Sequence, residues 1–320
     1  MPGKTNAFDR VAILGLGLIG GSIALGLRRK GHAGLVVVGY DSDDAARATA
    51  GEIGLVDEMA ASASAAVAGA DLVILCAPVR AMGGLAEEIS AALSPGQVVT
   101  DVGSVKGSVL AQVAPHIPGG VHFIPGHPVA GTEQSGPRAG FAELFEDRWT
   151  ILTPPGDTDD EALARLTDFW QGLGSRVTCM DADHHDMVLS ITSHIPHLIA
   201  YNLVATAHDL EQVSEKEVIK FSAGGFRDFT RIASSDPTMW RDVFLANRDA
   251  VLETLGAFIE EMTILRRAIR QGDGDLLFDL FNRARDIRRG IIEAGQESAA
   301  PDFGRHPELG EDGENKKESS

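Results

Sequence analysis

Short apolar runs without alternation recur through the first 180 residues: Val11–Leu14, Leu35–Val38, Leu72–Cys76 and Val98–Thr100. Each is closely followed by Gly, Pro or Asp, then by an Ala- and Leu-rich stretch of helical character. A strand that is apolar at every position is buried on both faces, which is the habit of parallel sheets flanked by helices. Further strands are expected at Val121–Ile124, Thr150–Leu152 and Arg176–Cys179, with a helix near Thr158–Gly172 between the last two. The pattern predicts an α/β class, a doubly wound parallel sheet of Rossmann type over residues 1–180.

From Asp181 the pattern is helical only. Val251, Leu255, Phe258, Met262, Leu265 and Ile269 step by 4, 3, 4, 3 and 4, a coiled-coil-like seam. Leu276, Leu277, Leu280, Phe281, Ala284 and Ile287 make a second stripe after the Gly272-Asp273-Gly274 break. Asp236-Pro237 reads as an N-cap followed by proline at the first helical position. An all-α domain is expected over residues 181–297, its apolar faces serving either as its own core or as a dimer seam. Residues 298–320 are Gly, Glu, Asp, Lys and Ser in the main, and a disordered acidic tail is expected there.

Composition narrows the function classes. The chain has 320 residues, of which 44% are hydrophobic and 23% charged, as in globular proteins, and its length suits two domains of ~100–200 residues. A formal net charge of −18 argues against binding nucleic-acid phosphates. No run approaches the ~20 uninterrupted apolar residues of a membrane span, and the N-terminus lacks the apolar core of a secretory signal. Cys76 lies in an apolar run and Cys179 in another expected strand, with no CxxC spacing, and they read as two reduced core thiols. The expectation is a cytoplasmic protein with neither a nucleic-acid nor a membrane partner.

Gly15-Leu16-Gly17-Leu18-Ile19-Gly20 follows the first strand directly and opens an apolar helix. Gly15 permits a tight turn, Gly17 lets a pyrophosphate approach the backbone, and Gly20 lets the helix pack on the strand. The helix N-terminus offers N–H groups and a positive dipole end to phosphates. Asp41 closes the second strand 21 residues after Gly20, where an acid accepts hydrogen bonds from the adenosine ribose and repels a 2′-phosphate. The nearest following arginine is Arg47, so NAD is favoured over NADP as cofactor.

A nicotinamide enzyme needs a group that takes or polarises the proton of the alcohol being oxidised. His127 follows the expected strand Val121–Ile124 in a loop leaving the carboxyl edge of the sheet, where ligands sit in open α/β folds. Ser104, in Asp101–Gly107, leaves the preceding strand at the same edge. His184 and His185 sit at an expected helix start, where exposed polar residues are the rule. His194 and His197, three apart around Pro196, share a helix face. They lack the spacing and third ligand of a zinc site, so no metal is expected.

Four segments together resemble the prephenate/arogenate dehydrogenase family of tyrosine biosynthesis. They are DVGSVKG (101–107), GHPVAGTEQSG (126–136), SHIPH (193–197) and GGFRDFTRIASSDPTMWRDV (224–243), in a match running from about Val11 to about Ile292. The resemblance implies a Rossmann domain followed by a helical domain that dimerises, with the active site in the cleft between them. It implies NAD(P)-dependent oxidative decarboxylation of a cyclohexadienyl alcohol, with hydride leaving the ring carbinol carbon and CO₂ departing as the ring becomes aromatic.

By the same resemblance His127 accepts a hydrogen bond from the ring hydroxyl and polarises it, with Ser104 orienting that hydroxyl or the histidine. Arg231 matches the family's substrate arginine and is assigned the ring carboxylate. His197 matches the side-chain contact, with Ser193 and His194 beside it, while Thr132 and Glu133 hold the cleft. Met239 and Trp240 match positions contributed by the partner subunit of a homodimer. Two alternatives are a β-hydroxyacid-type dehydrogenase and a non-catalytic NAD-binding sensor. The first relies on a lysine that Asp181–Tyr201 lacks; the second would not need His127, His197 and Arg231 together.

Overall fold

Strand β1 (Arg10–Leu14) runs between two parallel neighbours, β2 (Val36–Tyr40) and β4 (Leu72–Leu75). With β3 (Glu58–Met59), β5 (Val98–Asp101) and β6 (His122–Phe123) they form a six-stranded sheet of order β3-β2-β1-β4-β5-β6. Every pairing in it is parallel, and the strand order reverses between β1 and β4, the doubly wound Rossmann arrangement. One apolar layer holds Ile13, Ile23, Leu27, Phe145 and Trp170; the other holds Leu14, Val73, Met82, Val109 and Trp240. Burial on both faces is why these strands carry no polar alternation.

The computed structural model describes residues 7–31, 34–209 and 224–293. The chain forms two compact units, residues 1–220 with 230–255, and residues 221–229 with 256–320. The expected acidic tail lies outside the described residues.

Helices α1 (Leu18–Lys30), α2 (Asp44–Glu52), α3 (Ala63–Val67), α4 (Met82–Ile89) and α5 (Lys106–Val113) connect the strands. Helix α6 (Asp160–Gly172) starts two residues later than expected, because Asp159 caps it by accepting the Ala162 N–H at 2.9 Å.

The last strands do not extend the parallel sheet. Strands β7 (Gly126–Pro128), β8 (Trp149–Leu152) and β9 (Arg176–Cys179) make a second sheet of order β7-β8-β9, with β7 antiparallel to β8. Two corrections follow. His127 stands on strand β7 instead of in a loop; three residues that include Gly and Pro carry too little β signal to be recognised. Cys179 ends the edge strand β9 and is exposed, so only Cys76 fits the expected core thiol.

Beyond Cys179 the described residues are helical. Helix α7 (Ala182–Leu189) passes through a π turn at Ser190–His194 into α8 (Ile195–Asp209). The wide turn sits directly before Pro196, which lacks the N–H that an α-helix would use there. The run Ala182–Asp209 is long and apolar enough by length and composition to cross a membrane. Its buried polar residues are tied into the protein: His185, Asp186, Ser190 and His194 are each hydrogen-bonded within the same compact unit.

Helices α9 (Gly224–Thr230), α10 (Pro237–Ala246), α11 (Arg248–Gln271) and α12 (Gly274–Glu293) follow. Asp236 caps α10 as expected, its Oδ1 accepting the N–H groups of Thr238 (2.7 Å) and Met239 (3.0 Å). Gly272, at φ +67°, ends α11. On α11 and α12 Met262, Ile269, Phe281 and Ile287 remain exposed in the single chain.

Candidate active site

The glycine loop is built by close approach. Gly15 has φ +107°, and a Cβ there would lie 2.3 Å from the Cys76 carbonyl oxygen at the end of β4. A Cβ on Gly20 would meet the Gly15 carbonyl oxygen at 2.0 Å, whereas one on Gly17 would meet nothing within 4 Å. The loop is therefore pressed against the sheet on one side and open at Gly17. Gly17 is the N-cap of α1 with no side chain capping it, so the backbone at Leu18 and Ile19 is left to an anion. Asp41 steadies the loop from β2: Oδ2 accepts the Leu16 N–H at 2.7 Å and Oδ1 accepts the Asp43 N–H at 2.9 Å. Each oxygen keeps a second lone pair for a ribose hydroxyl. Arg47 donates to the Asp41 carbonyl and to the Asp44 carboxylate, so its guanidinium is committed beside the acid. An open glycine and uncapped backbone N–H groups for the pyrophosphate, with a carboxylate acceptor for the ribose, are what a dinucleotide requires.

A second polar cluster gathers around the carboxyl end of β5. Lys106 and Asp101 are fully buried and ion-paired, and Lys106 Nζ also donates to the Gly126 carbonyl at 2.7 Å. Asp101 accepts the N–H groups of Gly103 (2.7 Å) and Gly126 (3.2 Å). These bonds tie β7 to β5 and fix the backbone at Gly126, directly before His127. Burial pushes the Lys106 ammonium pKa down against the pull of Asp101.

His127 is itself buried, and its Nδ1 lies 2.8 Å from His185 Nε2. His185 Nδ1 lies 2.8 Å from Asp186 Oδ1. Burial, with the nearby His185, Lys106 and His194 adding to it, holds the His127 pKa well below the ordinary histidine value. His185, expected to be exposed, is fully buried. One signal marks it in the sequence: His185 and Leu189 are four apart on one helix face, so that face points inward.

His194 continues the cluster. Its Nδ1 accepts from Asn247 Nδ2 at 3.1 Å, and burial lowers its pKa to about 4. Its Nε2 and the Trp240 Nε1 are buried donors with no partner among the described residues. His197 stacks on Trp240 with ring centroids 3.6 Å apart and donates Nδ1–H to the Ser193 carbonyl at 2.8 Å. Trp240 thus reaches His197 within one chain, where the resemblance implies supply by a partner. Met239 beside it is exposed.

Arg231 and Glu133 form an exposed ion pair at 3.2 Å. Thr132 Oγ1 accepts the Gln134 N–H at 3.1 Å. Ser104 is half-buried and makes no side-chain hydrogen bond among the described residues. One compact unit therefore brings together the glycine loop, His127, His194, His197, Trp240 and Arg231, and adds Lys106, His185, Asp186 and Asn247 to the residues named from the sequence. No group of three or more His, Cys, Asp or Glu arranged for a metal occurs among the described residues.

Two family models cover most of the chain. "Prephenate dehydrogenase, nucleotide-binding domain" matches residues 23–179, and "Prephenate dehydrogenase, dimerization domain" matches residues 181–283. Cyclohexadienyl dehydrogenase of Zymomonas mobilis is 43% identical over 282 residues, 88% of this chain and 95% of that protein. The chain belongs to the prephenate dehydrogenase family.

Solved structures of the family agree. The Aquifex aeolicus prephenate dehydrogenase in complex with hydroxyphenyl propionate and NAD⁺ superposes with a TM-score of 0.80 at 35% identity, covering 88% of this chain and 98% of that one. Synechocystis arogenate dehydrogenase gives 0.74 at 29% identity, covering 88% and 99%. The glycine-loop geometry and the family together identify the cofactor as NAD.

Proposed function

We propose that this chain carries out NAD-dependent oxidative decarboxylation of a cyclohexadienyl alcohol, prephenate or L-arogenate or both, in tyrosine formation. The observation that carries this reading is His127: a buried imidazole kept neutral and fixed to the carboxyl end of β5 through Lys106 and Asp101. When bound, NAD supplies the acceptor for the hydride that leaves the ring carbinol carbon. His127 accepts a hydrogen bond from the ring hydroxyl and draws its proton as the C–H electron pair departs. The bond to the ring carboxylate then breaks, CO₂ leaves, the bonding pair enters the ring, and the oxygen recovers its proton as the ring becomes aromatic. No net proton is consumed, so His127 returns neutral.

The remaining assignments follow the chemistry of the substrate. Ser104 orients the hydroxyl or His127. Arg231, with a planar guanidinium suited to a carboxylate, holds the ring carboxylate, in exchange for or alongside Glu133. His197, Ser193 and His194 face the side chain, with Trp240 and Met239 closing over it and Thr132 at the cleft edge. The apolar residues left exposed on α11 and α12 support a homodimer through these helices, and light scattering at twice the chain mass checks it. The reduced exposed thiol of Cys179 suits a cytoplasmic enzyme.

The decisive experiment is NADH formation by the purified protein with NAD⁺ and either prephenate or L-arogenate. Turnover with one or both, with 4-hydroxyphenylpyruvate or tyrosine as product, is expected. NAD binding without turnover of either substrate overturns the reading in favour of a sensor.

A further inference from the structure

His127 is not an isolated imidazole, and the hydrogen bonds behind it fix where its proton sits. Asp186 receives the backbone N–H groups that open α5, Lys106 on Oδ1 (2.7 Å) and Gly107 on Oδ2 (2.9 Å). It thereby caps a helix whose own N-cap residue, Val105, offers no side-chain acceptor. A third bond reaches Asp186 from His185 Nδ1 at 2.8 Å. An ionised carboxylate only accepts, so His185 Nδ1 carries the hydrogen. A neutral imidazole has one N–H, so His185 Nε2 is bare and accepts. Its neighbour at 2.8 Å is His127 Nδ1, which must then donate.

We propose that His185 and Asp186 are positioning residues that lock His127 as its Nδ1–H tautomer, leaving Nε2 bare to receive the substrate hydroxyl. The proposal rests on the reading of His127 given above. Without the relay, His127 Nδ1 has no acceptor and the imidazole is free to carry its proton on Nε2, where it presents a donor to the hydroxyl. The surroundings keep both rings neutral: burial disfavours the charged form of each, Lys106 adds to this at both, and His194 adds to it at His127. The negative groups are Asp101, paired to Lys106, and Asp186, which stabilises the proton on His185 Nδ1. Asn247 holds the Asp186 carbonyl at 2.8 Å and accounts for the far side of the cluster by donating to His194.

The test combines spectroscopy with two variants of the full chain. In the ¹⁵N-labelled protein at neutral pH, imidazole ¹H–¹⁵N correlations assigned by their loss in His127→Asn are expected to show His127 protonated at Nδ1 and bare at Nε2. His185→Leu removes the acceptor and is expected to lower kcat about tenfold or more, with KM for NAD and substrate within about threefold. His185→Gln, whose side-chain carbonyl can accept from Nδ1–H, is expected to recover most of that loss. A wild-type His127 protonated at Nε2 overturns the proposal. So does a kcat for His185→Leu within about twofold of wild type, or equal losses in both variants. Should His185→Leu fail to fold, the wild-type spectrum and His185→Gln decide. A wild-type protein that forms no NADH refutes the reaction instead, while one that turns over with the reversed tautomer refutes only the relay.

Discussion

At the glycine loop the groups offered to a ligand are backbone N–H donors at the end of α1, with Gly17 facing open space. At the histidine cluster they are side chains from β7, the α7–α8 run and α10, with His127, His185, Asp186 and His194 buried and hydrogen-bonded. The loop offers backbone N–H groups, with the Asp41 carboxylate held beside them by the Leu16 and Asp43 N–H groups. In the cluster, burial disfavours the charged form of His127, His185, His194 and His197 alike. On the proposed function, lesions of the loop are expected to act on cofactor affinity, and lesions of the cluster on turnover and on stability.

The sharpest break of the comparison is His127→Asn. It is expected to lower kcat by about 10²–10⁴ while the Kd for NAD stays unchanged, since the loop is untouched. Stopped-flow NAD binding beside steady-state rates checks this, and a near-normal kcat removes His127 from the chemistry. Lys106→Met comes next. It leaves the Asp101 carboxylate buried without its cation, and a loss of about 3–5 kcal/mol in denaturant unfolding is expected.

Arg231→Gln lies at the exposed rim and is expected to raise substrate KM by about tenfold or more with a smaller change in kcat, as for a lost charge-assisted contact. An unaltered KM places the ring carboxylate elsewhere. The smallest effect is expected from Asp41→Asn, which keeps an acceptor for the Leu16 N–H but removes the charge that repels a 2′-phosphate. The ratio of kcat/KM for NAD over NADP is expected to fall severalfold; an unchanged ratio rules out the ribose contact.

The two regions also differ in how far they are legible in the chain. The glycine loop, its strand and Asp41 lie within 32 residues, and each residue's demand is local: a positive φ at Gly15, a missing Cβ at Gly20, an acid ending a strand. The cluster is assembled from β5, β7, α7, α8 and α10, and its bonds span up to 80 residues. His127, His194, His197 and Arg231 are reached through the family resemblance of their segments. His185 is misread as exposed because a polar pair at a helix start carries no mark of burial, except through Leu189 one turn on.

The short strand β7 fails for a related reason. Gly126-His127-Pro128 has almost no β propensity, and its place is set by pairing with β8 and by the Lys106–Gly126 bond. The parallel strands β1, β2, β4 and β5 are legible because burial on both faces leaves an unbroken apolar run.

The measurement that most directly tests the account is the pH dependence of kcat. His127 must be neutral to accept the hydroxyl, and burial lowers its pKa well below that of free histidine. Protonation then begins only at acid pH, so the account predicts a flat kcat down through about 6.5, the ordinary histidine value, and a fall only below it. A fall centred at or above that value contradicts a buried, neutral His127 as the group on which turnover depends.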